Sequence, residues 1–295
     1  ADQKVGLMPA WTWQEGVDED TLAIIAGPRA KTVDNAGLLA AIRMKERGDY
    51  PDDIWNATGF YEGADGLWRF EITDRDAAIN EAALTPGARE GVMRTEYNTP
   101  LGEVLKHDKL FAAYPDAAKI NVNLVSSVKA RAPRGFHDAG TNSIRVSGAP
   151  DTILSTLLHE VQHAIQDREG FAYGGNLEMG ERYEGEWYDA AINSFRRIRD
   201  AFTAGEASPE EYNYAADRVT AAARYEYYHA IAGEVEARNV QRRHEKEIDT
   251  LRRAAEGEKV DPGFLDSLPW TEDVPRDKQV VVSYSPRGEG YEAAQ

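Results

Sequence analysis

The sequence predicts an α+β protein, and three observations carry that expectation. Ile120 to Val125 alternates apolar and polar residues with period two, the pattern of a half-buried strand. Two aromatic-rich runs, Phe60-Tyr61 and Leu67-Trp68-Arg69-Phe70, flank Ala64-Asp65-Gly66 and read as a hairpin. From about residue 151 onward the apolar positions recur instead at helical spacing over long stretches. With 295 residues, 42% hydrophobic content and no Gly/Ser-rich linker, the chain reads as one unit over 1–295. Its parts are an α+β region at 1–130, a helical core at 131–256 and a C-terminal loop and strand at 257–295.

The elements follow in order. Residues 1–32 read as irregular, with Gly6, Pro9, Gly16, Gly27 and Pro28 as breakers around Trp11 and Trp13. Val33 to Arg47 is expected to be helical, with Leu38, Leu39, Ile42 and Met44 as its apolar side and Gly48 as its stop. Leu101 to Tyr114 carries Leu101, Val104, Leu105, Leu110 and Phe111 near helical spacing and predicts one or two short helices. Ser143 to Val146 reads as a strand joined by a turn to Gly135-Phe136-His137. Asp151 is an N-cap candidate for a helix running to Glu169, stopped by Gly170, and Phe171 to Asn176 is a loop. Glu181–Phe202 and Pro209–Ala255 are two further helical stretches, the second long enough to require a break, with Ser208-Pro209 opening it. Residues 257–278 read as loop, and Gln279 to Tyr284 as a terminal strand.

Composition narrows the chemistry. There are 34 Lys+Arg against 51 Asp+Glu, a formal net charge of −17, which argues against general nucleic-acid binding and against anionic membranes. No apolar run reaches the roughly 18 residues of a membrane span and no leader-like segment opens the sequence, so a cytoplasmic or virion-associated protein without membrane insertion is expected. The absence of Cys removes thiolate metal sites and cysteine nucleophiles. Any metal must be held by His, Asp or Glu.

The informative run is Leu157-Leu158-His159-Glu160-Val161-Gln162-His163-Ala164-Ile165. On a helix, His159 and His163 lie one turn apart on one face and can reach one ion, while Glu160 can act on a water beside it. Two neutral imidazoles, a Glu general base and an open position make the arrangement of a zinc hydrolase. A third ligand is required. His107 and His244 lie in charged runs, His244 on what reads as a solvated helix face from Arg238 to Arg253, and His137 lies near a turn. Ile231-Ala232-Gly233-Glu234-Val235-Glu236-Ala237-Arg238 offers Glu234 and Glu236 on different faces. Glu234 is favoured: Tyr227, Ala230 and Ile231 share its face, Gly233 and Ala237 would admit a close helix, and Arg238 could hold its carboxylate. Glu236 stays open as the alternative. Tyr173, Tyr227, Tyr228 and His229 are candidates for an oxyanion donor, and the strands at Ile120–Val125 or Ser143–Val146 for a cleft edge that pairs with a peptide substrate.

The run LLHEVQHAIQDREGFAYGGN followed by AGEVEARNVQRR resembles the zincin-like metallopeptidase domain associated with large polyvalent proteins of phages and mobile elements. The segments WRFEITD, LGEVLKHDKLFAAYP and TEDVPRDKQVVV are similar to further patterns of that family, over roughly residues 35–285. The resemblance implies a gluzincin-type fold in which His159, His163 and a Glu of Gly-Glu-Val-Glu-Ala-Arg bind Zn2+ and Glu160 is catalytic. It names no substrate. A protein of another class, a virion or host-interaction protein keeping the fold without catalysis, is the rival expectation, and a protease toxin or effector shares the same chemistry.

Overall fold

The computed structural model describes residues 23–83, 85–86, 92–95, 99–127, 134–149, 152–175, 186–255, 273–284 and 291–293. The expectations for Trp11, Trp13, Asp151 and Asn176, and most of the 257–278 loop, lie outside the described residues.

The protein is mixed α+β. It begins with β1 (Ala23–Ala26), α1 (Asn35–Arg47), α2 (Pro51–Thr58), β2 (Tyr61–Glu62), β3 (Trp68–Thr73) and β4 (Ala78–Ile79). Short pieces follow: β5 (Thr85–Pro86), β6 (Val92–Arg94), β7 (Thr99–Pro100), α3 (Leu101–Val104), β8 (Leu105–Lys106) and α4 (Asp108–Ala113). Then come β9 (Asn121–Ser127), β10 (Arg134–Asp138), β11 (Ser143–Gly148) and the helices α5 (Ile153–Glu169), α6 (Glu186–Thr203), α7 (Pro209–Ala230) and α8 (Ala232–Ala255). β12 (Val282–Tyr284) and β13 (Tyr291–Ala293) form a closing antiparallel pair.

Local chemistry explains most boundaries. Asp34 caps α1 by accepting from Ala36 N–H, and Gly48 ends it at φ 85°, a left-handed geometry that glycine adopts without penalty. Gly170 does the same for α5 at φ 74°. Ser208 and Glu211 form a reciprocal capping box at the start of α7, with Pro209 in its first turn. The break expected in the long C-terminal stretch falls at Ile231, whose backbone is extended. Val280 docks there, donating to Ala230 O at 2.8 Å and accepting from Ala232 N–H at 2.9 Å. α8 therefore starts at a defined point, with Glu234 in its first turn, where the helix dipole favours a carboxylate.

The main sheet runs β10-β11-β9-β6-β5, with β7 also on β9. β9 buries every second residue, as the period-two reading required. β11 pairs parallel with β9, while β10 is antiparallel to β11 and is the sheet's end strand. The two strands offered as cleft edges thus both lie inside the sheet; the edge beside the helices is β10. α5 lies under β10 and β11, its Leu157, Leu158, Val161, Ala164 and Ile165 entering one core with Val122, Leu124, Ile144 and Val146. α8 packs along α5.

Three further expectations are corrected. Ala23–Ala26, read as irregular, is a strand on β3 with Ile24, Ile25 and Ala26 buried, because an all-apolar run of four carries no alternation to betray it. Gln279–Tyr284 is not terminal, since β13 follows it. The charged run of α8 is not a solvated face in its described part: Arg243 is buried in a pair with Glu71 on β3, and His244 is buried beside it.

One polar cluster ties the N-terminal region to the helices. The guanidinium of Arg69 on β3 is bidentate to Asp65 at 2.6 and 2.9 Å and donates to Glu236 on α8 at 2.7 Å, lying 3.9 Å over the ring of Phe171. Burial raises the pKa of Asp65, but the hydrogen bonds and charge of Arg69 and the backbone N–H groups of Ala172 and Leu67 outweigh it and hold the carboxyl below its usual range. A depressed folded-state pKa contributes stability above the unfolded value, and that contribution disappears as pH falls through the folded one. Asp65→Asn should therefore cost about 1–3 kcal/mol near neutrality. In denaturant titrations its deficit against wild type should shrink between about pH 5 and pH 3; a deficit constant over that range would contradict the assignment.

Candidate metal centre

α5 and α8 bring together three of the residues singled out in the sequence. One ligand atom each from His159, His163 and Glu234 lies within 4.8 Å of the others. The two Nε2 atoms are 3.2 Å apart, with the rings nearly perpendicular. Glu234 Oε1 is 3.4 Å from His163 Nε2, and Oε2 is 3.8 Å from His159 Nε2. All three atoms carry lone pairs, and Glu234 Oε2 is buried without a well-formed hydrogen bond among the described residues. Such a convergence is unfavourable unless a proton or a cation sits between the groups. The donor set, two imidazoles and a carboxylate, fits a divalent ion of the zinc type with room for further ligands.

The electrostatics agree. Burial, then the neighbouring His163 and Arg238, push the His159 pKa well below its usual value, so this ring is neutral and able to coordinate. His163 is held above its usual value: burial opposes its charge, but Glu234 and Glu160, with the Gln166 hydrogen bond and Asp167, outweigh burial.

Glu160 follows His159 and is also buried. Burial, with the charge of Glu234, pushes its pKa up to about 7, while His163 and the His137 N–H pull it down. Its carboxylate lies against Gly135 of β10, where an added Cβ would collide with the Glu160 side chain. His137, two residues along β10, approaches Asp167 with its Nδ1 at 3.5 Å. Burial, then the charge of His163, lowers the His137 pKa to about 4.

Glu236 is placed elsewhere. Its Oε1 accepts from Gln162 Nε2 at 2.8 Å and Gln166 Nε2 at 3.1 Å, and its Oε2 from Arg69. Both oxygens are occupied by these donors, so Glu236 is the structural partner and Glu234 the candidate ligand. Two supporting expectations are corrected. Arg238 does not hold Glu234; it donates to the His229 carbonyl and to Asp273, because the last turn of α7 and the segment ahead of β12 bring those acceptors closer. Gly233 faces not a neighbouring helix but the Tyr173-Gly174 backbone, which a Cβ would strike.

That backbone belongs to the loop after α5. Ala172 N–H binds Asp65 at 2.8 Å, Tyr173 N–H binds Val282 O at 2.9 Å, and Gly175 N–H binds Glu234 Oε1 at 2.9 Å. Gly174 is pressed onto the site, where a Cβ would stand 2.5 Å from His163 Cε1 and 2.6 Å from Glu234 Oε1. Of the four oxyanion-donor candidates, Tyr228 is tied to the site: burial, then the charge of Glu234 and a hydrogen bond to it, with the charge of Glu160, raise its pKa and keep the phenol protonated. His229 turns to Asp273 at 3.4 Å and stacks on Tyr225, and burial alone shifts Tyr227. Sequence reasoning passed over Gln162, Gln166, Gly135 and Gly174. The i, i+4 glutamine pair interleaved with the histidines was the readable signal.

Residues 23–80 match the family model described as large polyvalent protein associated domain 23. The segment runs from β1 to the residue after β4 and contains both Asp65 and Arg69. The match supports the large polyvalent protein association for that segment and stops short of α5. No curated protein and no solved structure matches the chain significantly. No helix among the described residues is long and apolar enough to cross a membrane.

Elemental analysis after zinc loading should find near one zinc per chain in wild type and in Glu236→Gln, and none in His163→Ala or Glu234→Ala. Retention in Glu234→Ala with loss in Glu236→Gln would reverse the assignment of the two glutamates.

Proposed function

We propose that this chain is a zinc-dependent metallopeptidase with a zincin-like, gluzincin-type fold, of phage or mobile-element origin, acting on a protein or peptide substrate. The observation that carries the reading is the convergence of His159, His163 and Glu234, with buried Glu160 one residue from the first ligand and against the edge strand. A helix-packing role for the histidines would not call for a second buried carboxylate with a pKa near 7 at that position.

His159, His163 and Glu234 would hold the ion, leaving a position open. When bound, zinc supplies a Lewis acid that lowers the pKa of a coordinated water toward about 7 and polarises a carbonyl. Glu160 accepts the proton of the attacking water and later returns it to the leaving amine. The His137 N–H holds the Glu160 carboxylate in place. β10 pairs with β11 on one side, and its other edge is suited to add an extended peptide by main-chain hydrogen bonds, beside Glu160. The protonated phenol of Tyr228, which reaches Glu234, is the candidate donor for a developing oxyanion.

Glu160→Gln preserves shape and removes the base. It should bind zinc at wild-type stoichiometry and hydrolyse a fluorogenic peptide library about 10²–10⁴-fold more slowly. Full activity in this variant would eliminate Glu160 as the base, and zinc binding without hydrolysis by wild type would favour the non-catalytic virion or host-interaction reading.

A further inference from the structure

The glutamines that follow the two histidines form a second feature of α5, and Gln166 bears directly on the site. Its side-chain oxygen lies 2.8 Å from His163 Nδ1, and its side-chain nitrogen donates to Gly233 O at 2.9 Å and to Glu236 Oε1 at 3.1 Å. A primary amide is symmetrical in shape, so its orientation follows from its partners. A backbone carbonyl and a carboxylate are both acceptors, and they oblige the nitrogen to face them. The oxygen must then face His163. An amide oxygen only accepts, so His163 Nδ1 must carry the hydrogen, and Nε2 is the atom left to face His159 and Glu234.

The orientation is itself secured from the N-terminal region. Glu236 is fixed as an acceptor because Arg69 donates to its other oxygen at 2.7 Å, and Asp65 in turn holds Arg69 in a bidentate grip. Gln162 adds a parallel tie. It donates to Glu236 and exchanges two hydrogen bonds of 2.9 Å with the backbone of Ile25 on β1, as a neighbouring strand would. Arg69 and Gln166 are thus linked by a continuous chain of hydrogen bonds that ends on the Nδ1 of a candidate ligand. His159 differs: its ring has the Ala237 backbone and the Gln241 side chain as polar neighbours, and no link to Arg69 through Glu236 is seen among the described residues.

We infer that Gln166 is the positioning residue for His163, fixing its Nδ1–H tautomer so that Nε2 is presented to the metal. Arg69 and Glu236 set the direction of Gln166, which makes the residue 23–80 segment part of the support of the site. The inference rests on the metal reading proposed above and adds to it a role for residues that touch neither metal nor substrate.

The test uses the zinc-loaded full chain labelled with 15N in histidine. In wild type, ring correlations assigned to His163 should show a slowly exchanging proton on Nδ1 and metal on Nε2. Gln166→Leu should lose that protected proton and bind zinc about 10–100-fold more weakly in chelator competition. Metal on Nδ1 of His163 in wild type overturns the inference without any variant, so a failure of Gln166→Leu to fold does not shield it. A folded Gln166→Leu with unchanged zinc affinity and an unchanged Nδ1–H signal also overturns it, and leaves the metal reading standing. No zinc binding by wild type overturns both.

Discussion

The arrangement of this protein turns on two glutamates two residues apart in the first turns of α8. A buried carboxylate costs several kcal/mol unless its oxygens are hydrogen-bonded or paired with charge. Glu236 meets that demand fully, with Arg69, Gln162 and Gln166 on its two oxygens. Glu234 meets it only in part: its carboxylate takes the Gly175 N–H and reaches the Tyr228 phenol, and it still faces both histidines. One carboxylate is thus spent on holding β3, α5 and α8 together. The other, on a different face of the helix, is turned to where two imidazoles converge.

The structure around them is arranged to keep that space small and directed. The extended Ile231 and its bridge to Val280 set where α8 begins, and so which way Glu234 faces. Gly174 lets the loop after α5 lie against His163 and Glu234, and Gly135 lets the edge strand lie against Glu160. In both places the absence of a Cβ is required by contact with a side chain of the site. The capped ends of α5 and α7 and the buried faces of β9 and β11 supply the rigidity on which such close approaches depend.

Much of this was legible in the residues. His159, Glu160 and His163 announce themselves because one turn of helix fixes their relation, and the alternation of Ile120 to Val125 announces the central strand, Asn121–Ser127, for the same local reason. Preferring Glu234 over Glu236 was possible because a helix places the two on different faces. What could not be read were long-range partners. Arg238 looked like the natural neighbour of Glu234 one turn away, but Asp273 and the His229 carbonyl, brought in by the fold, hold it instead. His244 and Arg243 sit in a charged run that reads as solvated, yet β3 supplies Glu71 for Arg243 and covers the face. The edge strand was misplaced because strand order depends on pairing across sequence, and Arg134–Asp138 carries no strong alternation of its own.

The central claim is that His159, His163 and Glu234 form one coordination site, and zinc K-edge X-ray absorption on the zinc-loaded chain examines it most directly. The account predicts the scattering signature of two imidazole ligands, with oxygen completing the shell and no sulfur. A zinc shell of oxygen alone, or of a single imidazole, would contradict it.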